Sequence, residues 1–203
     1  RDIRSSEKGF YQQVKDIYAT SIDYDSNTEI TQKFFAVIQN KLLWAISGQT
    51  AAEIIHSRTN ASHPKMGLTT WTNAPNGVIR KTDVSISKNY LSEKEIKALN
   101  LLVEQYLAFA EAQAQQQKPM FMNDWVKKLN GILLVNEREI LEHAGTVSHQ
   151  MAVEIAEKEF EKFHEQMQLK EKEVSMKELE ADLLKLSKIK KRIRKIATHK
   201  KHP

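Results

Sequence analysis

The chain has 203 residues, of which 40% are hydrophobic and 28% charged, with a formal net charge of +5 and no cysteine. The lack of cysteine excludes disulfide frameworks and thiolate metal or catalytic sites, so we expect a reducing, cytoplasmic environment. No apolar run approaches the roughly 18 residues that a membrane span needs, and no signal-peptide pattern is present, so we expect no membrane partner.

The first predicted elements are two amphipathic helices. Apolar residues recur at spacings of three, four and seven over residues 2–20, which predicts a helix there. A second helix is predicted over 28–47. It begins at Ser26 and Glu29, which have the spacing of a capping box, and it ends at Gly48.

A short helix and a long loop follow. Thr50 and Glu53 repeat the capping-box spacing, which predicts a helix that runs to about Arg58. From residue 59 to 91 the helical period is lost, and Pro and Gly residues punctuate the chain. Two pieces, GLTTW and GVIR, are typical either of short paired strands or of extended loop. A loop this long without its own periodicity is usually functional or disordered, so it is a candidate site.

Four further helices are predicted after the loop: over 92–117, over 123–144, over 148–172, and from Ser175 to the end. The first of them begins at Ser92 and Glu95, which again have the spacing of a capping box. The helix over 123–144 is expected to continue through Asn130-Gly131, a hairpin signal, because neither flank alternates. Ser175 and Glu178 have the spacing of a capping box, which predicts a break before the last helix. That helix carries an apolar stripe amid Lys and Glu, which predicts packing on a partner helix or on its own copy.

These elements predict a mostly α fold: a multi-helix bundle with one long irregular loop and a C-terminal helical extension. We expect a helical body over residues 1–147, which includes the 59–91 loop. We also expect C-terminal helices over 148–203 that dimerise and end in a basic tail. Residues 188–203 hold eight Lys and Arg and no acid, which leaves 23 basic against 26 acidic residues elsewhere. Such a tail either contacts phosphates or is merely solvated.

Three side chains form the candidate catalytic set. Glu53 and His56 lie on one face of the short helix, and an acid beside an imidazole is the minimum for proton transfer. The same pair is common on protein surfaces, and Glu53 also has a capping role. Asp83 stands near Lys81 and Lys88, as in a site that holds a metal-bound phosphate. One carboxylate is too few to predict a metal site, so we expect no cofactor, and a divalent metal only if this set acts as a nuclease.

A larger set of side chains is predicted to contact nucleic acid or phosphate. Asn40 is unusual inside an apolar helix, because its side chain competes for backbone hydrogen bonds, so it either ties down the loop or faces a pocket. Basic residues interleaved with Trp71 suit a phosphate backbone with the indole as a stacking surface; the alternative is a loop latched by salt bridges. The full set is Gln39, Asn40, Arg58, Lys65, Trp71, Lys81, Lys88, Lys191, Arg192 and Arg194.

Several long blocks of the sequence resemble the virulence RhuM family. They are RDIRSSEKGFYQQVKDIYATSIDYD, QKFFAVIQNKLLWAISGQTAAEII, MGLTTW, RKTDVSISKNYL, ALNLLVEQYLAFAEAQA and NEREILEHAG. The resemblance implies that the chain is the C-terminal region of such a protein, which agrees with its start at Arg1 rather than at Met. The usual N-terminal part, which resembles a small helical DNA-binding module, is then expected to be missing. The family is variously predicted to be DNA-binding, toxin-like or defence-associated, so the resemblance implies no settled activity.

Two functions of different class follow. The first is a non-enzymatic interaction and oligomerisation module of a bacterial DNA-associated virulence or defence protein, in which the loop and tail touch nucleic-acid phosphates. The second is a metal-assisted nuclease or other toxin activity centred on residues 53–91, with Asp83 and either Glu53 or His56 as catalytic groups. We favour the first, because one loop carboxylate and a Glu with a capping role make a sparse active site. Whether the chain is an enzyme stays open.

Overall fold

The computed structural model describes residues 21–25 and 29–199 of the chain. Within them the chain forms five α-helices and no strand, so the prediction of a mostly α fold is confirmed. None of these helices is long and apolar enough to cross a membrane. The helix predicted over 2–20 and the capping residue Ser26 lie outside the described residues. The five helices are α1 (Glu29–Ser47), α2 (Ala51–Arg58), α3 (Glu93–Gln115), α4 (Met122–Val135) and α5 (His149–His199).

Capping boxes start α2 and α3 at the predicted residues. At α2, the N–H of Thr50 donates to Glu53 Oε2 over 2.8 Å, and the N–H of Glu53 donates to Thr50 Oγ1 over 3.4 Å. At α3, the N–H of Ser92 donates to Glu95 Oε2 over 2.7 Å in the same arrangement. These bonds satisfy backbone donors that helix N-termini leave unpaired, so both boundaries are set locally.

Helix α4 ends earlier than predicted. It runs through the Asn-Gly pair at 130–131 as expected, but it ends at Val135. Asn136 Nδ2 donates to a carbonyl of the preceding turn over 2.8 Å, and Glu137 adopts a φ of 54°. A left-handed residue cannot continue a right-handed helix, and an Asn side chain bonded to the backbone helps to end one. The prediction of helix over 136–144 was therefore wrong.

Helix α5 is one continuous helix of 51 residues. The predicted break before Ser175 does not occur, so the prediction of two separate C-terminal helices was wrong. The segment contains neither Pro nor Gly. An exposed Ser costs a helix only about 0.5 kcal/mol relative to Ala, which the neighbouring Lys, Glu and Leu residues outweigh. Capping-box spacing alone does not mark a helix start inside an uninterrupted helix.

The core lies where α1, α3 and α4 meet. Tyr106 of α3 and Trp125 of α4 pack edge to face with ring centroids 6.2 Å apart, and Tyr106 Oη donates to Trp125 O over 3.1 Å. The long loop contributes to the same core, because Met66, Val84 and Leu91 are 0% exposed. The loop is therefore packed structure rather than a solvated connection.

The first turns of α5 pack along α2. Ala152 and Ala156 are fully buried at this contact, and their small side chains let the two helices approach closely. The N–H of Ala61 donates to Glu159 Oε2 over 2.8 Å, which also joins α5 to the long loop. After Phe163 every residue of α5 to residue 191 is exposed. Helix α5 thus starts on the body and then extends away from it.

Candidate functional site

A cleft of about 1060 Å³ opens between α1, α2, the end of the long loop and the start of α5. We call it the body cleft. Its volume is at the upper end of the range for small-molecule pockets. Apolar side chains form much of its wall, and its polar groups come from Gln39, Asn40, Thr50, Thr72, Ser85, Ser87, Lys88, Asn89, Ser148 and His149.

Three of the predicted phosphate-binding residues line the body cleft together. Gln39 and Asn40 lie on α1, whereas Lys88 lies in the 3₁₀ turn Ser87–Tyr90 that ends the long loop. Asn40 Oδ1 accepts a hydrogen bond from the N–H of Ala51 over 2.9 Å. This Asn therefore fastens the N-terminus of α2 to α1, and it also lines the cleft.

The 3₁₀ turn Ser87–Tyr90 forms a buried wall of the body cleft. Ser87, Lys88 and Asn89 are 3%, 7% and 3% exposed. Asn89 Nδ2 donates to Asp83 O over 2.8 Å, which fixes the turn to the preceding loop. The hydroxyl of Ser87 makes no hydrogen bond within the part of the chain that the structure describes.

Two helix N-termini border the body cleft. Ala51 and Ala52 of α2 line it, as do Ser148 and His149 at the start of α5. A helix N-terminus carries a partial positive charge from its unpaired N–H groups. Among the described residues no Asp or Glu lines this cleft. The arrangement therefore favours an anion over a cation.

Glu53 does not line the body cleft and instead joins α2 to the segment before α5. Its carboxylate accepts hydrogen bonds from the N–H of Thr50 over 2.8 Å and from the N–H and Oγ1 of Thr146, each over 2.7 Å. Partial burial alone would raise the pKa of Glu53, but hydrogen bonds from Thr50 and Thr146 lower it to about 2. Glu53 is thus ionised at neutral pH. His56, exposed on α2, makes no hydrogen bond or ion pair with it.

Asp83 is 0% exposed within the long loop. Its carboxylate accepts hydrogen bonds from the N–H and Oγ1 of Thr72, over 2.8 and 2.6 Å, and from the N–H of Arg80 over 2.9 Å. Within the described residues no group of three or more His, Asp or Glu side chains is placed to hold a metal ion. The predicted catalytic residues are therefore not gathered into one metal site, and the nuclease alternative stays a prediction that this geometry does not favour.

Arg58 forms an ion pair inside the body. Its Nη1 and Nη2 donate to the two carboxylate oxygens of Glu95 over 2.8 and 2.7 Å. The hydrogen bond from Arg58 lowers the pKa of Glu95 to about 2, although partial burial acts in the opposite direction. Such bidentate pairs are strong and directional. Arg58 thus links the end of α2 to the start of α3 and does not line the body cleft.

The other predicted residues of the loop also contact protein groups. Lys65 Nζ lies 4.9 Å from the centroid of the Trp71 ring, and Trp71 is itself 3% exposed. A buried indole offers no open stacking surface for a base. Lys81 Nζ lies 3.1 Å from Glu157 Oε2, which ties the loop to α5. Lys81 thus makes a salt bridge of the kind that the alternative of a latched loop predicts, whereas Lys65 and Trp71 contact each other.

Most of the predicted site residues lie in a region of the chain that matches a known protein family. A family model described as the Virulence protein RhuM family matches residues 1–172. The chain belongs to this family. A search of curated proteins and a search of solved structures each return no match. Membership associates the chain with virulence, and the matched RhuM region includes every residue of the body cleft.

The distal part of α5, beyond the matched RhuM region, carries an exposed apolar stripe. Met176, Leu179, Leu183 and Leu186 are 58%, 55%, 57% and 62% exposed. They follow one another at intervals of three, four and three, which are the a and d positions of a heptad. We call these four residues the α5 stripe.

The basic tail of this RhuM-family chain begins directly after the α5 stripe. Lys188, Lys190 and Lys191 are exposed near the C-terminal end of α5. The side chains of Arg192 and Arg194 lie outside what the structure describes. The predicted contact of this tail with phosphates therefore stays a prediction.

Ser87, Asn89 and His149 line the body cleft but were not among the predicted site residues. Their common location depends on how α5 docks on α2, which helical periodicity does not encode. The usable signal was the pair of predicted helix starts at Thr50 and Ser148. Each start follows from its own capping residue, but nothing in the pattern says that both face the same space.

Proposed function

We propose that this RhuM-family chain is a self-associating module that holds two basic tails against nucleic-acid phosphates. The observation that carries the proposal is the exposure of the α5 stripe. This part of α5 extends beyond the body, and each of the four residues is more than half exposed. Burying each such side chain contributes roughly 1.5–3 kcal/mol, so a partner surface is strongly favoured.

The partner that we propose for the α5 stripe is the same helix of a second copy. Its heptad spacing is that of a coiled coil, and Leu169 occupies the preceding a position, while Lys172 occupies the preceding d position. From residue 165 to 187 the helix carries six acidic and four basic residues. Because these charges nearly balance, two copies of this segment meet with little net repulsion.

A pair of neighbouring leucines tests the self-association. Leu183→Glu places a charge in the α5 stripe, whereas Leu184→Glu places the same charge one residue later, at a side chain that is 62% exposed and off the stripe. We expect sedimentation velocity to show dimers for the wild type and for Leu184→Glu, and monomers for Leu183→Glu. A monomeric wild type, or two variants that behave alike, would contradict the proposal.

The nucleic-acid contact is tested by the salt dependence of binding. Replacement of Lys188, Lys190 and Lys191 by Gln should weaken binding to a labelled duplex and flatten its salt dependence. The slope of log K against log salt falls by about 0.9 for each lost phosphate contact. Fluorescence anisotropy between about 50 and 200 mM salt measures both quantities.

The matched control removes three charges from the body. Lys94, Lys118 and Lys128 are exposed and distant from the tail in sequence, so their replacement by Gln changes the net charge equally. We expect this control to keep the wild-type salt slope. An equal loss of slope in both triple variants would show that only net charge matters, and the proposal for the tail would then be wrong.

A further inference from the structure

The body cleft has the electrostatic character of an anion site. At the start of α2, the N–H of Ala51 donates to Asn40 and the N–H of Glu53 donates to Thr50. The N–H of Ala52, which lies between them, has no acceptor among the described residues, and Ala52 lines the cleft. The N–H of His149 at the start of α5 likewise has none. Unpaired amides of two helix N-termini, in a cleft that Lys88 also lines, favour a phosphate or carboxylate.

A nearly buried serine with an unpaired hydroxyl gives an independent sign of a ligand. Ser87 is 3% exposed and lines the body cleft, and its Oγ makes no hydrogen bond in the part of the chain that the structure describes. Among the described residues the buried side-chain atom that lacks a partner is Asn130 Oδ1, on α4, so the Oγ of Ser87 keeps its small accessible surface and can bond a ligand in the cleft. Asn40 adds a second donor, because its Oδ1 is bonded to Ala51 and its NH₂ group makes no bond.

The remaining surface of the body cleft suits an apolar group. Ile55, Ile86 and Val147 line it together with Ala36 of α1. An inorganic phosphate would fill only a small part of about 1060 Å³. A ligand that combines a phosphate with an apolar ring matches both the charged end and the apolar wall, and most small-molecule sites pair these two surfaces.

We propose that the body cleft binds a nucleotide through its phosphate monoester. Ser87, Lys88 and the N-termini of α2 and α5 hold the phosphate, and the apolar wall holds the base. The same phosphate monoester occurs at the 5′ end of a nucleic acid, so the two sources share one recognition chemistry. The proposal does not depend on the α5 stripe or on the basic tail, because the cleft lies entirely in the body.

Isothermal titration calorimetry of the full chain tests the proposal. The probes are the four ribonucleoside monophosphates, the four unphosphorylated nucleosides, and one dinucleotide with and without a 5′-phosphate. We expect at least one monophosphate to bind at least about tenfold more tightly than its nucleoside, since the charged end supplies most of the recognition. Preference for the phosphorylated dinucleotide over the monophosphate would assign the site to nucleic-acid ends.

Two neighbouring positions on α1 locate the binding. Ala36 is exposed on the wall of the body cleft, whereas Val37 is 43% exposed and does not line it. Ala36→Asp places a carboxylate on the apolar wall that holds the base and should weaken binding at least about tenfold, because the base would desolvate a charge that has no partner there. Val37→Asp should leave binding unchanged, and Ser87→Ala should weaken it several-fold. Thermal unfolding of each variant confirms that the body is folded.

The tail variant separates this site from the basic tail. The chain with Lys188, Lys190 and Lys191 replaced by Gln should bind the monophosphate as the wild type does. Loss of binding in that variant alone would place the phosphate on the tail and overturn the proposal. Absence of binding by every monophosphate, equal binding of nucleosides, or equal effects of Ala36→Asp and Val37→Asp would overturn it as well.

Discussion

Glu53 caps α2 and at the same time accepts two hydrogen bonds from Thr146, on a different segment. The preceding residue, Gly145, has a φ of +85°, and a Cβ there would lie 2.9 Å from Thr50 Cγ2. Only a glycine fits so close an approach in that conformation. The sequence suggested Glu53 as a proton acceptor, but in the structure its carboxylate anchors the segment at Thr146 to the start of α2, beside the body cleft.

The Glu53 anchor makes stability depend on pH. Glu53→Gln should lower the free energy of unfolding at neutral pH by about 2 kcal/mol, because a neutral amide accepts these hydrogen bonds less strongly. The folded-state pKa of Glu53, about 2, lies below its ordinary value of 4.5. Its stabilisation is therefore complete above about pH 4.5 and is lost as the pH falls from 4.5 toward 2.

Urea unfolding at about pH 7 and pH 3 measures this effect. The difference between wild type and Glu53→Gln should shrink at the lower pH. Glu104→Gln, at an exposed position of α3, is the control and should change stability little at either pH. A wild-type advantage that is equal at both pH values would show that the charge of Glu53 is not the cause.

Residue types were easier to predict than residue partners. Asn40 was singled out because an amide is unusual inside an apolar helix, and it does line the body cleft. Arg58 and Lys81 were predicted to contact phosphate, yet each pairs with a carboxylate that lies far along the chain, on α3 or α5. Pairings of that kind depend on docking between helices, so no local pattern reveals them.

At the scale of elements, the same capping-box spacing starts a helix at two positions and does not start one at a third. Thr50 and Ser92 each follow a non-helical segment, and each starts a helix where the capping box predicts it. Ser175 has the same spacing but follows a helix that nothing interrupts. A capping box lowers the free energy of a helix start without forcing one, so the preceding residues decide whether it is used.

Two glycines test how the elements are joined. Gly67 has a φ of +81°, and a Cβ there would lie 2.3 Å from the carbonyl oxygen of Arg58, at the contact between α2 and the loop. Gly67→Ala should lower the free energy of unfolding by at least about 2 kcal/mol. Gly131→Ala, within α4 with nothing within 4 Å, should raise it by roughly 0.5–1 kcal/mol. Thermal unfolding of the two variants should give shifts of opposite sign, and shifts of the same sign would contradict this description.

At the scale of the whole molecule, the sequence predicted the helical class and the starts of the body helices, because periodicity and capping are local properties. It did not predict the body cleft as a shape, because the cleft exists only where the start of α5 packs on α2. Ala152 and Ala156 make that contact, and buried alanines give no distinctive signal in a helix. The long loop was recognised as special, but its buried residues Met66 and Val84 were not.

Helix α5 also sets the distance between the body and the basic tail. From residue 164 to 199 it continues for roughly 54 Å at about 1.5 Å per residue, beyond its last contact with the body. That reach is comparable to about 16 base pairs of duplex at about 3.4 Å each. A single molecule therefore cannot bring its cleft and its lysine-rich end to one phosphate. Among the described residues α5 alone connects the two, so a change at one end is transmitted to the other through this helix.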